Sequence, residues 1–333
     1  LVRPLAPDMR TQNSKPTMKS QRVALIGGTG FVGRHLVHHL CNRGHSCRII
    51  TRHPHRHRSL QTVAEMVSTD PYNKYALSAA LDGCDAVVNL VGILNEQGGE
   101  RSFRRVHVEL VDTILAACHD AKVPRLLHMS ALNADEASGS SMYLRSKGEG
   151  ENRAHTIGKP DIAVTSFRPS VIFGPDDSFL HRFATLLRIP GPLPLACPDA
   201  ELSPVFIDDV VAAFANSLDD PTTFGRHYEL CGPRHYTLKT LVQFVAQHTG
   251  KRKWVIGLPD WASRFQANVL QFVPGKPFTP DNYLSLQTPS ICTTDGFAPL
   301  GIRPASLESA GPRCLSGTDK TARLDALRRA SGR

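Results

Sequence analysis

The sequence predicts an α/β fold with a doubly wound parallel sheet and a smaller C-terminal α/β domain. Three observations support this prediction. From Arg22 onward, short apolar runs alternate with longer amphipathic runs, which is the pattern of βαβ units. A glycine-rich segment, IGGTGFVG, joins the first apolar run to the first amphipathic run. The run DAVVNLVGIL is too continuously apolar for a half-exposed strand, so we expect it at the centre of a sheet with helices on both faces.

Local patterns give the elements in order. The predicted strands are 22–27, 47–51, 85–94, 125–132 and 161–175, and the predicted helices are 31–43, 103–121 and one that begins near Ser141. Gly44 ends the first helix as its C′ residue. Residues 203–218 predict a strand and then a helix capped by Asp208 or Asp209. The last unit is a strand, HYEL, and a helix that follows Thr237 as N-cap.

The chain divides into parts of different composition. Its 333 residues exceed the roughly 250 to 300 residues at which a single core stops growing. Four prolines between residues 190 and 198 mark a change of architecture after Pro175. The predicted parts are a disordered leader at 1–20, a large domain at 21–175 to which 203–218 returns, a smaller domain at 176–315 and a basic tail at 316–333.

The charge balance is basic, with 39 Lys and Arg against 30 Asp and Glu, a formal net charge of +9. Such a surplus suits phosphate ligands, nucleic acid or an anionic membrane surface. It is concentrated in the first 22 residues, in residues 43–58 and in the last 21 residues. Because no basic helix with interleaved aromatic residues occurs, we expect no nucleic-acid partner.

The cysteines and the apolar runs bear on location. Eight Cys occur without a CxxC pair, several of them inside apolar runs, which predicts buried, reduced thiols in a reducing compartment. No apolar run approaches the roughly 18 residues of a spanning helix, and the first 20 residues lack a secretory apolar core. The basic leader leaves a transit peptide, an unstructured leader and a misplaced start open. We expect a cytoplasmic protein, alternatively one peripheral to the inner membrane, or in the mitochondrial matrix if eukaryotic.

The glycine-rich segment is typical of a phosphate-binding turn. Gly27 suits a tight turn with positive φ, Gly30 lets a pyrophosphate approach the backbone, and Gly33 leaves room for helix and strand to pack. The helix that follows offers N–H groups and the positive end of its dipole to phosphates. Strand, glycines and helix stand in the order of a Rossmann-type dinucleotide-binding domain.

The end of the second strand predicts which dinucleotide binds. An acid there accepts hydrogen bonds from the ribose of NAD, whereas basic residues hold the extra phosphate of NADP. Here the sequence is ITRHPHRHR, so Arg52, with Arg56 or Arg58 behind it and Arg34 in support, favours NADP(H) over NAD(H). The alternative is a basic surface loop. Three histidines alternate in this loop, namely His53, His55 and His57. No nearby Cys or carboxylate completes a ligand set, so we expect no metal site.

A YxxxK pair, Tyr143 and Lys147, lies early in the helix that begins near Ser141. On a helix these two positions are neighbours. A Lys ammonium beside a phenol favours the phenolate, which lowers the Tyr pKa and lets Tyr act as a general acid or base. The pair alone occurs often by chance, and its place in a dinucleotide fold makes it informative.

Five segments, GGTGFVG, NLVG, YLRSK, RPSVIFGP and PVFIDDV, occur in an order that resembles the short-chain dehydrogenase/reductase superfamily in its extended or atypical branches. The sequence is most similar to the group that contains the thirty-nine-kilodalton NAD(P)H-binding accessory subunit of respiratory complex I, an NADH:ubiquinone oxidoreductase, and its bacterial relatives. HMSAL, YLRSKGEGE and the ending around LGIRPASLE also resemble that group. The resemblance extends from Arg22 to about Leu315.

The resemblance implies a role for individual residues. Asp70 would reach the adenine edge, residues 89–92 would border the cofactor, Lys147 would hold the nicotinamide ribose, and the backbone after Pro169 would meet the carboxamide. The predicted cofactor set is Gly27, Gly28, Thr29, Gly30, Phe31, Val32, Gly33, Arg34, Arg52, Asp70, Asn89, Val91, Gly92, Ser130, Tyr143, Lys147, Pro169 and Ser170.

The predicted catalytic set is Tyr143, Lys147 and Ser130, and it departs from the family pattern. Catalytic members usually place a Ser or Thr, which polarises the substrate carbonyl, one or two residues beyond the position of Ser130. This chain has Ala131 and Leu132 there. Either Ser130 substitutes or the triad is incomplete.

The segment 251–278 carries Trp261, Phe265 and Val269 at helical spacing beside the basic run KRKW. Packing within the small domain is the favoured interpretation, and a membrane or respiratory-complex surface is the alternative. His107 is expected to be a core histidine rather than a catalyst.

Two functions follow from these predictions. In the first, the protein is an NADPH-dependent reductase, dehydrogenase or epimerase that acts through Tyr143 and Lys147 on a carbonyl or carbinol. In the second, NADP(H) is held for a structural or redox role in a respiratory or quinone-related assembly. The resemblance favours the second.

Overall fold

The computed structural model describes residues 20–251 and 253–315. Its strands are β1 (Arg22–Ile26), β2 (Ser46–Thr51), β3 (Glu65–Ser68), β4 (Ala86–Asn89), β5 (Arg125–Met129), β6 (Ala163–Pro169), β7 (Ile172–Phe173), β8 (Leu193–Leu195), β9 (Glu201–Leu202), β10 (Val205–Phe206), β11 (His227–Leu230), β12 (Tyr236–Thr237) and β13 (Val255–Gly257). Its helices are α1 (Phe31–Asn42), α2 (Lys74–Leu81), α3 (Leu110–Asp120), α4 (Met142–Ile157), α5 (Leu180–Leu186), α6 (Ile207–Ser217), α7 (Leu238–His248), α8 (Asp260–Leu270), α9 (Pro280–Leu286) and α10 (307–315). The predicted leader, apart from residue 20, and the predicted basic tail lie outside the described residues.

Seven parallel strands form the central sheet, in the order β11-β6-β5-β4-β1-β2-β3. The order reverses between β1 and β4, which is the switch point of a doubly wound Rossmann-type sheet, and the predicted fold class is confirmed. The glycine turn follows β1, Asn89 ends β4 and Ser130 follows β5. The topology therefore brings these predicted site residues to the carboxyl edge of the sheet.

Helices cover both faces of the sheet. On one face α1 and α6 pack together around Leu36 and Phe214, and on the other α2, α3 and α4 pack around Leu77 and Ile114. All four residues of β4 are buried, because helices lie above and below it. The polar Asn89 is buried at the carboxyl end of this strand, next to the glycine turn.

A second core lies beyond the sheet, built from α5, α7, β8 and α10 around Leu241 and Leu307. Two segments of the C-terminal half join the large sheet instead. Helix α6 packs with α1, and HYEL is strand β11, which pairs with β6 at the sheet edge. The predicted domain boundaries place HYEL in the smaller domain, which differs from its position in the structure. Tyr228 and Leu230 of this strand pack into the core of the large sheet, which explains its position.

The sequence patterns did not predict two elements, β3 and α2. Strand β3 is a half-buried edge strand and α2 is short, so neither has a strong apolar signal. Thr237 caps α7 as predicted, since its side chain accepts from the Thr240 N–H. Neither predicted acid caps α6: Asp208 and Asp209 lie in its first turn, and Asp209 instead accepts from the Ala305 N–H at 2.7 Å.

The cysteines differ from the prediction of reduced thiols at two positions. Cys231 and Cys292 form a disulfide, which joins the end of β11 to the segment before α10. The other six cysteines are free, and five of them are buried. Within residues 20–251 and 253–315, no helix has the length and apolar character needed to cross a membrane.

Helix α4 is seated unusually close to its neighbours. The Ser141 side chain caps it by accepting from the Leu144 N–H. A Cβ on Gly148 would lie 2.4 Å from the Glu136 nitrogen, and one on Gly150 would lie 2.0 Å from the His107 carbonyl oxygen. These glycines therefore set how deeply α4, which carries the YxxxK pair, enters the fold.

We predict that Gly150→Ala destabilises the protein by roughly 1 to 3 kcal/mol, because the added methyl group forces α4 away from the His107 carbonyl. Chemical denaturation measures the free energy of unfolding. Glu149→Ala, at the neighbouring position on the same helix, is the matched control and should lie close to wild type. Equal stabilities for Gly150→Ala and wild type would contradict this packing argument.

Candidate functional site

The glycine turn after β1 has the backbone geometry of a phosphate cradle. Gly27 adopts φ +86°, and its carbonyl accepts from the Gly30 N–H at 3.0 Å. A Cβ on Gly33 would lie 2.4 Å from the Gly27 oxygen, so only glycine fits there. No side chain caps α1 and no acid lies in its first turn, so its positive end is open to an anion. The residues present fit a dinucleotide pyrophosphate across residues 27–34.

The end of β4 lies against this turn. A Cβ on Gly27 would lie 3.1 Å from the backbone that follows β4, and the Asn89 side-chain oxygen accepts from the Val91 N–H at 3.1 Å. A Cβ on Gly92 would lie 3.0 Å from Lys147 Nζ. The glycine turn, the β4 end and Lys147 are therefore contiguous, as a bound dinucleotide requires.

Arg52 follows β2 and is 57% exposed, with Glu100 Oε2 at 4.0 Å. Arg105 lies 3.8 Å from the other oxygen of Glu100 and stacks 4.4 Å from the centre of the Tyr72 ring. Asp70 is exposed after β3 and accepts from the Tyr72 N–H. Arg52 has no carboxylate nearby in the sequence, but the fold supplies Glu100 from the loop after β4. Two cations thus flank one exposed carboxylate.

Tyr143 and Lys147 lie one turn apart on α4, with Lys147 Nζ donating to the carbonyl that ends β5 at 3.0 Å. Burial, and then Asp281, raise the pKa of Tyr143 to about 12. Burial lowers the pKa of Lys147 to about 8. The expectation that Lys147 lowers the Tyr143 pKa is therefore wrong for this structure, and the phenol is protonated at neutral pH.

Glu151, one turn beyond Lys147, is fully buried and is the centre of a network that sequence reasoning missed. Its carboxylate accepts hydrogen bonds from the Ser130 hydroxyl, from Arg168 Nε at 3.0 Å and from the His227 ring. Burial alone would raise its pKa, but His227, Arg168 and Ser130 outweigh burial and lower the pKa to about 2. The only sequence signal was spacing, since Glu151 follows Lys147 by four residues.

This network has a consequence for the predicted catalytic serine. Ser130 is buried and its hydroxyl is bonded to Glu151, and the next two residues, Ala131 and Leu132, are buried and apolar. Tyr143 packs against a small apolar cluster of Ala131, Ala134 and Leu144. The Ser170 hydroxyl is bonded to Ser290, and the Ser170 N–H donates to β11.

Asp281 is a second residue that sequence reasoning missed. From α9 it accepts from the backbone N–H groups of Met142 and Tyr143, at 2.7 and 3.1 Å. The small domain therefore holds the amino end of the helix that carries Tyr143. No local motif signals such a contact, because 138 residues separate Tyr143 from Asp281.

His107 is a core histidine, as predicted. It is buried, its Nε2 accepts from the Ile93 N–H at 3.0 Å, and its Nδ1 is bonded to the Ser146 hydroxyl. Burial, and then Lys147, lower its pKa to about 2, so the ring is neutral. Its role is to fix the loop after β4.

The segment 251–278 contradicts the favoured sequence interpretation. Trp261, Phe265 and Val269 do not pack inside the small domain, because they are 73%, 67% and 48% exposed. Helix α8 is anchored through its small residues Ser263 and Ala267, which are buried. The aromatic stripe was recognised in the sequence, but the buried side of the helix was not.

The fold, the glycine turn after β1 and the carboxyl edge of the sheet together define an NAD(P)H-binding protein of the Rossmann type. A family model described as NAD(P)H-binding matches residues 27–169. The chain is 30% identical over 302 residues to the NADH dehydrogenase (ubiquinone) 1 alpha subcomplex subunit 9 of Rattus norvegicus, which covers 85% of this chain and 77% of that protein. The chain belongs to the family of this complex I subunit.

Other similarities concern enzymes. A ceramide reductase of Caulobacter vibrioides is 29% identical over 244 residues, covering 72% of this chain and 74% of the reductase. The crystal structure of a UDP-glucose 4-epimerase from Thermotoga maritima superposes with a TM-score of 0.70 at 16% identity, over 90% of this chain and 99% of the epimerase. The second likeness concerns the fold alone.

We predict that Glu151 makes stability depend on pH in acid. Because its pKa is about 2 in the folded protein and 4.5 in the unfolded reference, its contribution is present above pH 4.5 and is lost as pH falls towards 2. The difference corresponds to about 3 kcal/mol. Denaturation measured between pH 7 and pH 2 should show that the free energy of unfolding falls less for Glu151→Gln than for wild type. Glu149→Gln should follow wild type, and parallel curves for Glu151→Gln and wild type would contradict the assignment.

Proposed function

We propose that the protein holds NADP(H) as a resident ligand with a structural or redox role in a respiratory or quinone-related assembly. The observation that carries the proposal is the commitment of the Ser130 hydroxyl to buried Glu151, with apolar Ala131 and Leu132 after it. Hydride transfer is the chemistry that the nicotinamide supplies when it is bound. The nucleotide edge supports binding, whereas Ala131 and Leu132 stand where the family pattern usually places the hydroxyl that polarises a carbonyl.

The preference for NADP(H) over NAD(H) rests on the end of β2. Arg52 is more than half exposed there, and Arg105 lies on the other side of Glu100. Both guanidinium groups suit the phosphate on the adenosine ribose. The Glu100 carboxylate is 75% exposed, so a phosphate can displace it from the two cations.

The role is inferred from the family. Its members include the complex I subunit named above, which supports a respiratory assembly as partner of this chain. The proposed location is the cytoplasm, peripheral to the inner membrane, or the mitochondrial matrix if the source is eukaryotic. The exposed segment 251–278 supports contact with that assembly or with the membrane surface beside it.

An active NADPH-dependent reductase, dehydrogenase or epimerase is the second candidate. The observation that favours it is the Tyr143–Lys147 pair on α4, with Lys147 Nζ beside Gly92 at the nucleotide edge. The similarity to a protein named ceramide reductase supports the same candidate. In that function Tyr143 would give its proton to a carbonyl oxygen, and Lys147 would stabilise the phenolate that remains.

We predict that Arg52→Ala weakens NADPH binding about tenfold or more and leaves NADH binding unchanged, because only NADPH carries the phosphate that Arg52 meets. Glu100→Gln should act in the opposite direction and tighten NADPH binding alone. Calorimetric titration measures both affinities. Arg226→Ala is the control, since Arg226 is exposed at the amino end of β11. Equal losses of affinity for NADPH and NADH would contradict the proposed preference for NADP(H).

We predict that wild type and Tyr143→Phe bind NADPH equally and that neither oxidises it in the presence of a panel of carbonyls and quinones. The reason is the raised pKa of Tyr143 together with the hydrogen bond that commits the Ser130 hydroxyl to Glu151. Absorbance at the reduced nicotinamide band follows the oxidation. Substrate-dependent oxidation by wild type that is lost in Tyr143→Phe would establish the reductase instead.

A further inference from the structure

Helix α8 and its flanks form an exposed apolar face, which we call the docking face. It consists of Trp254, Ile256, Trp261, Phe265, Val269, Phe272 and Val273. Trp254 is 84% exposed and Phe272 is 83% exposed, fractions that leave most of each ring in water. Exposed aromatic residues that are grouped in one short segment favour an interaction surface over ordinary surface variation.

The orientation of α8 is fixed by its opposite side. Ser263 is 1% exposed and its hydroxyl accepts from the Cys197 N–H at 3.1 Å, while Ala267 is 1% exposed and packs with Tyr283. Small residues therefore face inward and large aromatic residues face outward, which reverses the usual pattern of a surface helix. Because the small side is hydrogen-bonded and buried, the helix cannot turn to hide the aromatic side.

The segment that carries the docking face is basic. Its described part, residues 251 and 253–278, holds four basic residues, which we call the cationic rim, namely Lys251, Lys253, Arg264 and Lys276, and one acid, Asp260. Asp260 accepts a hydrogen bond from the Tyr283 hydroxyl, so it is already engaged within the fold. A cationic rim around an aromatic centre complements an anionic bilayer, where each Lys or Arg near the surface adds attraction.

Charge also favours an anionic lipid surface over a second copy of this chain as the partner of the docking face. A second copy of this chain, docked by the same face about a two-fold axis, would bring two cationic rims together. An anionic lipid surface meets no such repulsion. Both tryptophans of the chain lie in the docking face, and indole rings are enriched at the bilayer interface, where an apolar body and a polar N–H are both accommodated.

We propose that the docking face binds the surface of an anionic phospholipid bilayer, with α8 lying in the interfacial plane. The proposal concerns a surface separate from the glycine turn and does not require the nucleotide preference proposed above. Lys276 adjoins the candidate site, since its carbonyl accepts from Asn95 and its ammonium donates to the Glu96 carbonyl. Membrane contact would therefore occur beside the loop that follows β4.

The test uses the full chain, with and without NADPH, and vesicles of phosphatidylcholine alone or mixed with phosphatidylglycerol. We expect cosedimentation with the mixed vesicles, loss of binding at high salt, and a blue shift of tryptophan emission, since Trp254 and Trp261 are the only tryptophans. Phe265→Ser combined with Phe272→Ser keeps both reporters and should weaken vesicle binding at least about tenfold.

Tyr75→Ser is the matched control, because Tyr75 is 81% exposed on α2, outside the docking face. Its binding should equal that of wild type. Circular dichroism and thermal unfolding verify that the double variant is folded. No binding to mixed vesicles, equal binding by the double variant, or tryptophan burial that depends on protein concentration without lipid would each overturn the proposal. The last result would assign the face to self-association.

Discussion

The buried carboxylate of Glu151 is the constraint on which the rest of the site depends. An ion that is removed from water must be paired and hydrogen-bonded, and Glu151 obtains its partners from three strands: Ser130 after β5, Arg168 of β6 and His227 of β11. These bonds hold α4 against the sheet. They also engage the Ser130 hydroxyl. The residue that stabilises the buried Glu151 carboxylate is therefore also the serine of the predicted catalytic set.

The nucleotide side and the substrate side of this molecule therefore differ. At the nucleotide side, the glycine turn, the open amino end of α1 and Lys147 have a geometry that fits a dinucleotide. At the substrate side, Tyr143 lies among apolar groups, which stabilise its protonated form. A nucleotide site beside a Ser130 hydroxyl that is committed to Glu151 suits a protein that keeps its nucleotide rather than turning it over, which is the role proposed here.

The sequence predicted those features whose physical cause is local. The glycine spacing, the buried run of β4, the start of a helix near Ser141 and the Thr237 cap each act within a few residues, so pattern and composition reveal them. The contacts of Glu100 with Arg52, of Asp281 with α4 and of His227 with Glu151 join residues far apart in the chain, and no local pattern encodes them. The exposed face of α8 was the less favoured of two interpretations for a related reason: an aromatic stripe favours burial unless the small residues opposite it are known to be buried.

The central claim is that the protein keeps one NADP(H) per chain. Mass spectrometry of the freshly purified protein under non-denaturing conditions tests it most directly, because the mass of the complex identifies the dinucleotide and its stoichiometry together. The account predicts one NADP+ or NADPH bound to each chain. A chain that carries NAD+ or NADH, or no dinucleotide at all even after NADPH is added, would contradict it.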